Sequence, residues 1–158
     1  MPATSGLIVD ANLLVLYIVG SVNRDRIENF KRTRQYKASD YDLLVDVMGK
    51  YQPLYSVAHD LAEVSNLTDL AGEERMHARR ILSDTFSLLT EVDIRSERAA
   101  QDPLYQELGL TDAAIGAIAR SNGCTVLTDD LSLYLRLSKD HVDVVNFTHL
   151  LAAKWEAQ

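Results

Sequence analysis

The stretch LGLTDAAIGAIARSNGCTVLTDD, residues 108 to 130, carries the fold in miniature. Thr111 is a natural helix N-cap, and Asp112 stands in the first turn, where a helix favours negative charge. Ile115, Ile118 and Ala119 recur at helical spacing, which predicts a helix from Thr111 to Ser121. Gly123 suits the left-handed position just past a helix end. Thr125 to Thr128 then reads as a short buried strand, and it stops on two adjacent carboxylates, Asp129 and Asp130. Near the N-terminus GLIVDANLL does the same: Leu7, Ile8 and Val9 run straight into Asp10.

Working outward, the same alternation recurs. Asp10 closes a first strand and Asn12 starts a helix that runs through Val19. Ser39-Asp40 offers an N-cap for YDLLVDVMGKY, and Pro53 ends that element. Leu54 to Val57 reads as a second strand, followed by helix from Ala58 to Leu70. Gly72 separates that helix from EERMHARRILSDTFSLL. Thr90 to Ile94 and Val142 to Val145 complete the strands, and FTHLLAAKWEA closes the chain as helix. Short apolar strands alternating with helices predict an α/β fold: a central parallel sheet of about five short strands, flanked by helices on both faces. No repeat, low-complexity stretch or linker divides residues 1–158, so a single domain is expected. In such sheets ligands gather beyond the carboxyl ends of the strands, where Asp10 and the Asp129-Asp130 pair sit.

With 47% hydrophobic and 25% charged residues the chain is long enough to bury a substantial core. Its apolar runs are too short to span a bilayer, and MPATSG lacks the basic flank and cleavage site of a secretory signal. The lone cysteine, Cys124, reads as a buried reduced thiol, which suits a cytoplasmic protein. The net charge of −7 argues against simple coating of nucleic acid. That charge is uneven. Between Asn23 and Lys37, six basic residues (Arg24, Arg26, Lys31, Arg32, Arg34 and Lys37) face only Asp25 and Glu28, giving +4 against −11 for the rest. Such a tract contacts an anion, whether RNA or an acidic partner, or else forms a solvated face of charge pairs.

Two further acids stand out. Glu63 lies near the apolar edge of the helix after the second strand, with His59 and Asp60 one turn before it, and Asp112 opens the later helix. If the fold gathers Asp10, Glu63, Asp112 and Asp130, each close pair costs about 4 kcal/mol at an effective dielectric near 20, so protons or a cation must neutralise them. An all-oxygen set suits a hard cation, Mg²⁺ or Mn²⁺. His59, His77, His141 and His149 are scattered and lack zinc spacing. No glycine-rich phosphate loop and no Gly-x-Ser-x-Gly elbow occurs.

The ordered set LIVDANLL, VAHDLAEVSNL and LGLTDAAIGAIARSNGCTVLTDDLSLY resembles the PIN domain, a metal-dependent nuclease fold that includes the VapC-type toxins of bacterial toxin–antitoxin pairs. The resemblance runs in order from Gly6 to about Phe147, and its most specific part is the third segment. It implies a divalent-metal-dependent endoribonuclease hydrolysing RNA phosphodiester bonds with Mg²⁺ or Mn²⁺, often as a homodimer, and for toxin members silenced by a cognate antitoxin. Carried over by position, Asp10 is the central metal ligand, Glu63 the second acid, Asp112 the third and Asp130 the fourth, with Asn12 and Thr128 as supporting polar groups. Many members carry one more acid two residues past the final Asp, where this chain has Ser132. Asp129 stands beside Asp130, and side chains of consecutive extended residues face opposite ways, so the fourth ligand is one or the other. The basic segment, residues 21–38, is longer than in a compact toxin and reads as an insertion or an extended helical arm.

Two other classes compete. One is a catalytically silent PIN-like binding module, although a retired site has no reason to keep mutually repelling acids. The other is a different acidic-pocket α/β phosphohydrolase or a receiver domain. The phosphatase would need Asp-x-Asp where this chain has Asp10-Ala11-Asn12; the receiver would need a phospho-acceptor Asp ending a central strand and a late Lys after another, and the second strand here ends SVAHD with helix already begun.

Overall fold

In the computed structural model, residues 5–157 are described; the first four residues of the MPATSG stretch lie outside them. Five strands alternate with helices in chain order: β1 (Leu7–Val9), α1 (Ala11–Val22), α2 (Ala38–Met48), β2 (Leu54–Ser56), α3 (Ala58–Leu67), α4 (Gly72–Leu88), β3 (Thr90–Glu91), α5 (Ser96–Ala99), α6 (Leu104–Leu108), α7 (Leu110–Asn122), β4 (Thr125–Thr128), α8 (Leu131–Lys139), β5 (Val144–Asn146) and α9 (Phe147–Glu156). A 3₁₀ helix, Arg24–Asn29, lies between α1 and α2.

All strand pairs are parallel, in the order β3-β2-β1-β4-β5. The α/β class, the strand count and the flanking helices are as the sequence predicts. The chain builds outward from β1 to β3 on one side, then crosses to β4 and β5 on the other. The order therefore reverses between β1 and β4, the place where open parallel sheets form their ligand crevice. Successive strand residues face opposite sides. Leu7, Val9 and Leu127 join one core with α1, α2 and α4, while Ile8 and Val126 join a second with α7 and α8. With no side chain on Gly20, the Tyr41 ring lies directly against α1; a Cβ there would overlap it.

Several boundaries differ from expectation, each for a local reason. α2 starts at Ala38, because the Asp40 carboxylate accepts the Lys37 N–H at 2.8 Å from inside the first turn. Thr111 lies within α7, not at its cap; Gly109, at φ +91°, makes the entry. α3 stops at Leu67, where the Thr68 hydroxyl turns back to the Val64 carbonyl. β3 ends at Glu91 and not at Ile94, and β5 spans Val144–Asn146 in place of 142–145. Gly123 does adopt the left-handed conformation, and Cys124 is a free buried thiol.

α8 is an element the sequence reading does not contain. Leu131, Leu133, Leu135 and Leu137 alternate as a strand would, yet the helix buries Leu133 and Leu137 and leaves Leu131 and Leu135 55% and 57% exposed. Leu137→Ala should therefore cost about 2–5 kcal/mol, and Leu135→Ala no more than about 0.5 kcal/mol. Urea denaturation of the two variants checks this; equal losses would mean that all four leucines share one buried face.

Candidate active site

Pairing in the sheet centre creates the site. Val9 lies opposite Leu127, so the next residues, Asp10 just past β1 and Thr128 at the end of β4, stand side by side. The Thr128 hydroxyl donates to Asp10 Oδ2 at 2.7 Å and accepts the Asp130 backbone N–H at 3.0 Å. Asp10 Oδ1 accepts the Ala11 N–H at 2.7 Å, capping α1. Asp130 in turn caps α8, its Oδ1 accepting the N–H groups of Ser132 and Leu133 at 2.8 and 3.2 Å.

Asp10, Glu63, Asp112 and Asp130 line one cleft of about 220 Å³, together with Ala11, Asn12, Leu108, Leu110 and Thr111. Four separate segments thus deliver four carboxylates to the edge where the sheet order reverses. They surround the cleft without closing on a point: among the described residues, no three His, Cys, Asp or Glu side chains are grouped closely enough to hold a metal ion as they stand. A larger cavity of about 480 Å³ borders Arg98, Asp102 and Arg120, but Arg120 is committed there to Asp102 and Asp140 at 2.5 and 2.8 Å.

Asp129 points elsewhere. Its Oδ2 accepts the Tyr36 hydroxyl at 2.6 Å, tying the end of the basic segment to the end of β4. Burial, and then the negative charge of Asp129, raise the Tyr36 phenol far above its ordinary value, so it remains a donor. The acid that faces the cleft is Asp130.

One acid, Asp60, belongs to the site though no role was assigned to it from the sequence. It sits one turn before Glu63 on α3, is 0% exposed, and neither carboxylate oxygen has a hydrogen-bond partner among the described residues. Its signal was present. Val57, Asp60 and Val64 fall on one helical stripe, and the two valines flanking the aspartate there are buried. Burial, followed by the charges of Asp10, Glu63 and Asp112, raises its carboxyl well above the usual range. Asp112 is raised to about 7 by burial, then Asp10, Asp130 and Glu63. Burial pushes Asp10 up to about 6, against the lowering effect of the Thr128 and Ala11 hydrogen bonds and with smaller contributions from Asp129 and Asp130.

No protein-family model and no curated protein sequence matches this chain. Its chemistry rests on the geometry.

The six candidate contact cations divide in two. Arg24, Arg26 and Lys31 are ion-paired to Asp42, Glu74 and Asp69 at 2.5, 3.2 and 3.0 Å. Arg32, Arg34 and Lys37 form no ion pair among the described residues, which include every Asp and Glu of the chain. The segment is not a free helix: it forms the 3₁₀ turn and then packs Ile27, Phe30, Thr33 and Tyr36 inward.

Acids with raised values hold protons in the folded state at pH values where the unfolded chain has lost them. Stability in chelator should therefore fall as pH rises from about 4 through 7. For Asp10 alone the loss is on the order of 3 kcal/mol. Asp60→Asn should be at least as stable as wild type at pH 8 in EDTA and flatten this dependence. Chemical denaturation across pH reads both, and a wild-type profile rising over that window would contradict the cleft's electrostatics.

Proposed function

We propose that this chain is a divalent-metal-dependent endoribonuclease of the PIN type, hydrolysing RNA phosphodiester bonds. The observation that carries this reading is the convergence of Asp10, Glu63, Asp112 and Asp130 on one cleft at the switch point of the sheet. The donor set fits a hard cation. It is all oxygen, and burial with mutual repulsion pushes Asp10 and Asp112 toward the neutral form when no cation is present; behind it lies Asp60, whose two carboxyl oxygens have no hydrogen-bond partner among the described residues.

Asp10, Glu63, Asp112 and Asp130 would hold Mg²⁺ or Mn²⁺, with Asp60 behind them. The cation would activate water and stabilise the charge of a phosphoryl transition state. Thr128 fixes the Asp10 carboxylate by its hydroxyl, so that the central acid need not reorganise on binding. Asn12 brings an exposed amide to the same cleft, able to orient water or a phosphate oxygen. The resemblance extends the proposal to the toxin of a toxin–antitoxin pair, acting as a homodimer and silenced by an antitoxin protein. No helix among the described residues is long and apolar enough to cross a membrane.

Thermal unfolding with EDTA, Mg²⁺ or Mn²⁺ tests the site directly. Wild type should gain about 2.7 kcal/mol at a hundredfold excess of cation over its dissociation constant. Asp10→Asn should lose most of that gain, match or exceed wild-type stability in EDTA, and lose RNA cleavage. Full cleavage by Asp10→Asn, or cleavage that persists in EDTA, would sink the proposal.

A further inference from the structure

We propose that Trp155, Lys37 and Lys154 form a stacking platform for single-stranded RNA. The choice of RNA rests on the nuclease reading; the platform rests on its own observations. Trp155 is the chain's single tryptophan and is 59% exposed near the end of α9. It belongs to neither hydrophobic core, so packing does not explain a large indole there. The Lys37 ammonium stands 5.4 Å from the ring centroid, in cation–π range. Lys154, on the same helix, reaches the Ser39 carbonyl at 3.4 Å across a recess of about 220 Å³ lined by Ser39, Asp40, Lys154 and Trp155.

This recess is flanked by two cations, Lys37 and Lys154, and on α9 by the exposed Glu156 beside Trp155. The one acid lining it, Asp40, is buried and already accepts the Lys37 N–H. Neither Lys37 nor Lys154 forms an ion pair among the described residues, and Arg34, also without one, lies three residues before Lys37. The remainder of this −7 chain repels RNA, so a strand would be held where positive charge and an exposed indole coincide. An indole stacks on an unpaired base, whereas a duplex keeps its base faces covered.

Connection to the cleft runs through one residue. Tyr36, next to Lys37, donates to Asp129, and Asp129 adjoins the cleft acid Asp130. Tyr36 also packs edge-on against Phe147, the first residue of the helix that carries Trp155. Tyr36 therefore joins the segment that carries Lys37 to the end of β4 and to the start of α9.

The single tryptophan makes the test direct. Asp10→Asn protein in EDTA, which leaves the strand uncut, is titrated with a dye-labelled 12-nucleotide oligouridylate at low salt. Anisotropy and tryptophan fluorescence are followed together. Saturable quenching with the same midpoint as the anisotropy is expected, with no quenching by a duplex of equal length. In the same background Trp155→Ala should weaken binding about ten- to a hundredfold with an unchanged melting temperature. Trp155→Phe should recover part of the loss, and Lys37→Glu should weaken binding and lower its salt dependence. Anisotropy without quenching, together with unchanged binding by Trp155→Ala, overturns the platform and leaves the nuclease reading intact. Equal quenching by polyglutamate overturns it in favour of an acidic protein partner. Absence of RNA binding overturns it as well, and metal-dependent cleavage of the same oligonucleotide by wild type then decides the nuclease reading separately.

Discussion

The parallel register of β1 and β4 is the constraint on which the site depends. Because Val9 lies opposite Leu127, Asp10 and Thr128 emerge together, and one hydroxyl can serve both the carboxylate of Asp10 and the backbone of Asp130. A slip of one residue would turn Leu127 and Val126 to the wrong cores and separate the two polar groups. Core packing and the placement of the acids are thus set by the same alternation. Apolar side chains on both faces of the sheet hold carboxylates together that would otherwise repel, and Asp60 shows how far this goes. Its carboxyl group lies behind the cleft, wholly out of water and without a hydrogen-bond partner among the described residues, a costly position that its raised value eases by favouring the neutral form.

Much of this was legible in the residues themselves. Strands that end on Asp10 and on Asp129-Asp130 disclosed the parallel sheet and the edge at which its acids collect. Asp10, Glu63 and Asp112 were nameable because each stands at an element boundary or at the edge of an apolar helix face, and the fourth acid was narrowed to the Asp129-Asp130 pair that ends a strand, with the PIN resemblance pointing to Asp130. Choosing between Asp129 and Asp130 was not possible, since the choice is made by Tyr36, a residue 93 positions away that takes Asp129 for itself. Helix α8 stayed hidden for a different reason. Its leucines repeat every two residues, and only the cap formed by Asp130 turns that pattern into a helix with one buried and one open leucine row. Asp60 was harder to read, because an aspartate in the first turn of a helix is ordinarily explained by the helix dipole, and only the burial of Val57 and Val64 on either side marks it as inward-facing.

The basic segment illustrates how composition and surface differ. By count it is a strongly positive tract, but half of its cations are committed to Asp42, Glu74 and Asp69, which fasten the segment to α2 and to the α3–α4 region. Ion pairs of this exposed kind are individually weak. Ile27, Phe30 and Tyr36, buried beneath them, do most of the anchoring. The remaining positive charge is displayed by a surface that is already folded, so an anion binding there would find its partners largely in place.

Asp130 serves two masters. Asp130 lines the cleft, and its Oδ1 closes the first turn of α8, holding two N–H groups which would otherwise be unsatisfied. Any occupant that drew this carboxylate inward would loosen the start of that helix, including the open leucine at 131. Conversely, whatever clamps α8 in place holds the carboxylate back from the cleft. The two equilibria are linked through a single side chain, and by reciprocity each is a handle on the other. A surface 55% open to solvent at Leu131 is therefore one residue removed from the electrostatic centre of the molecule.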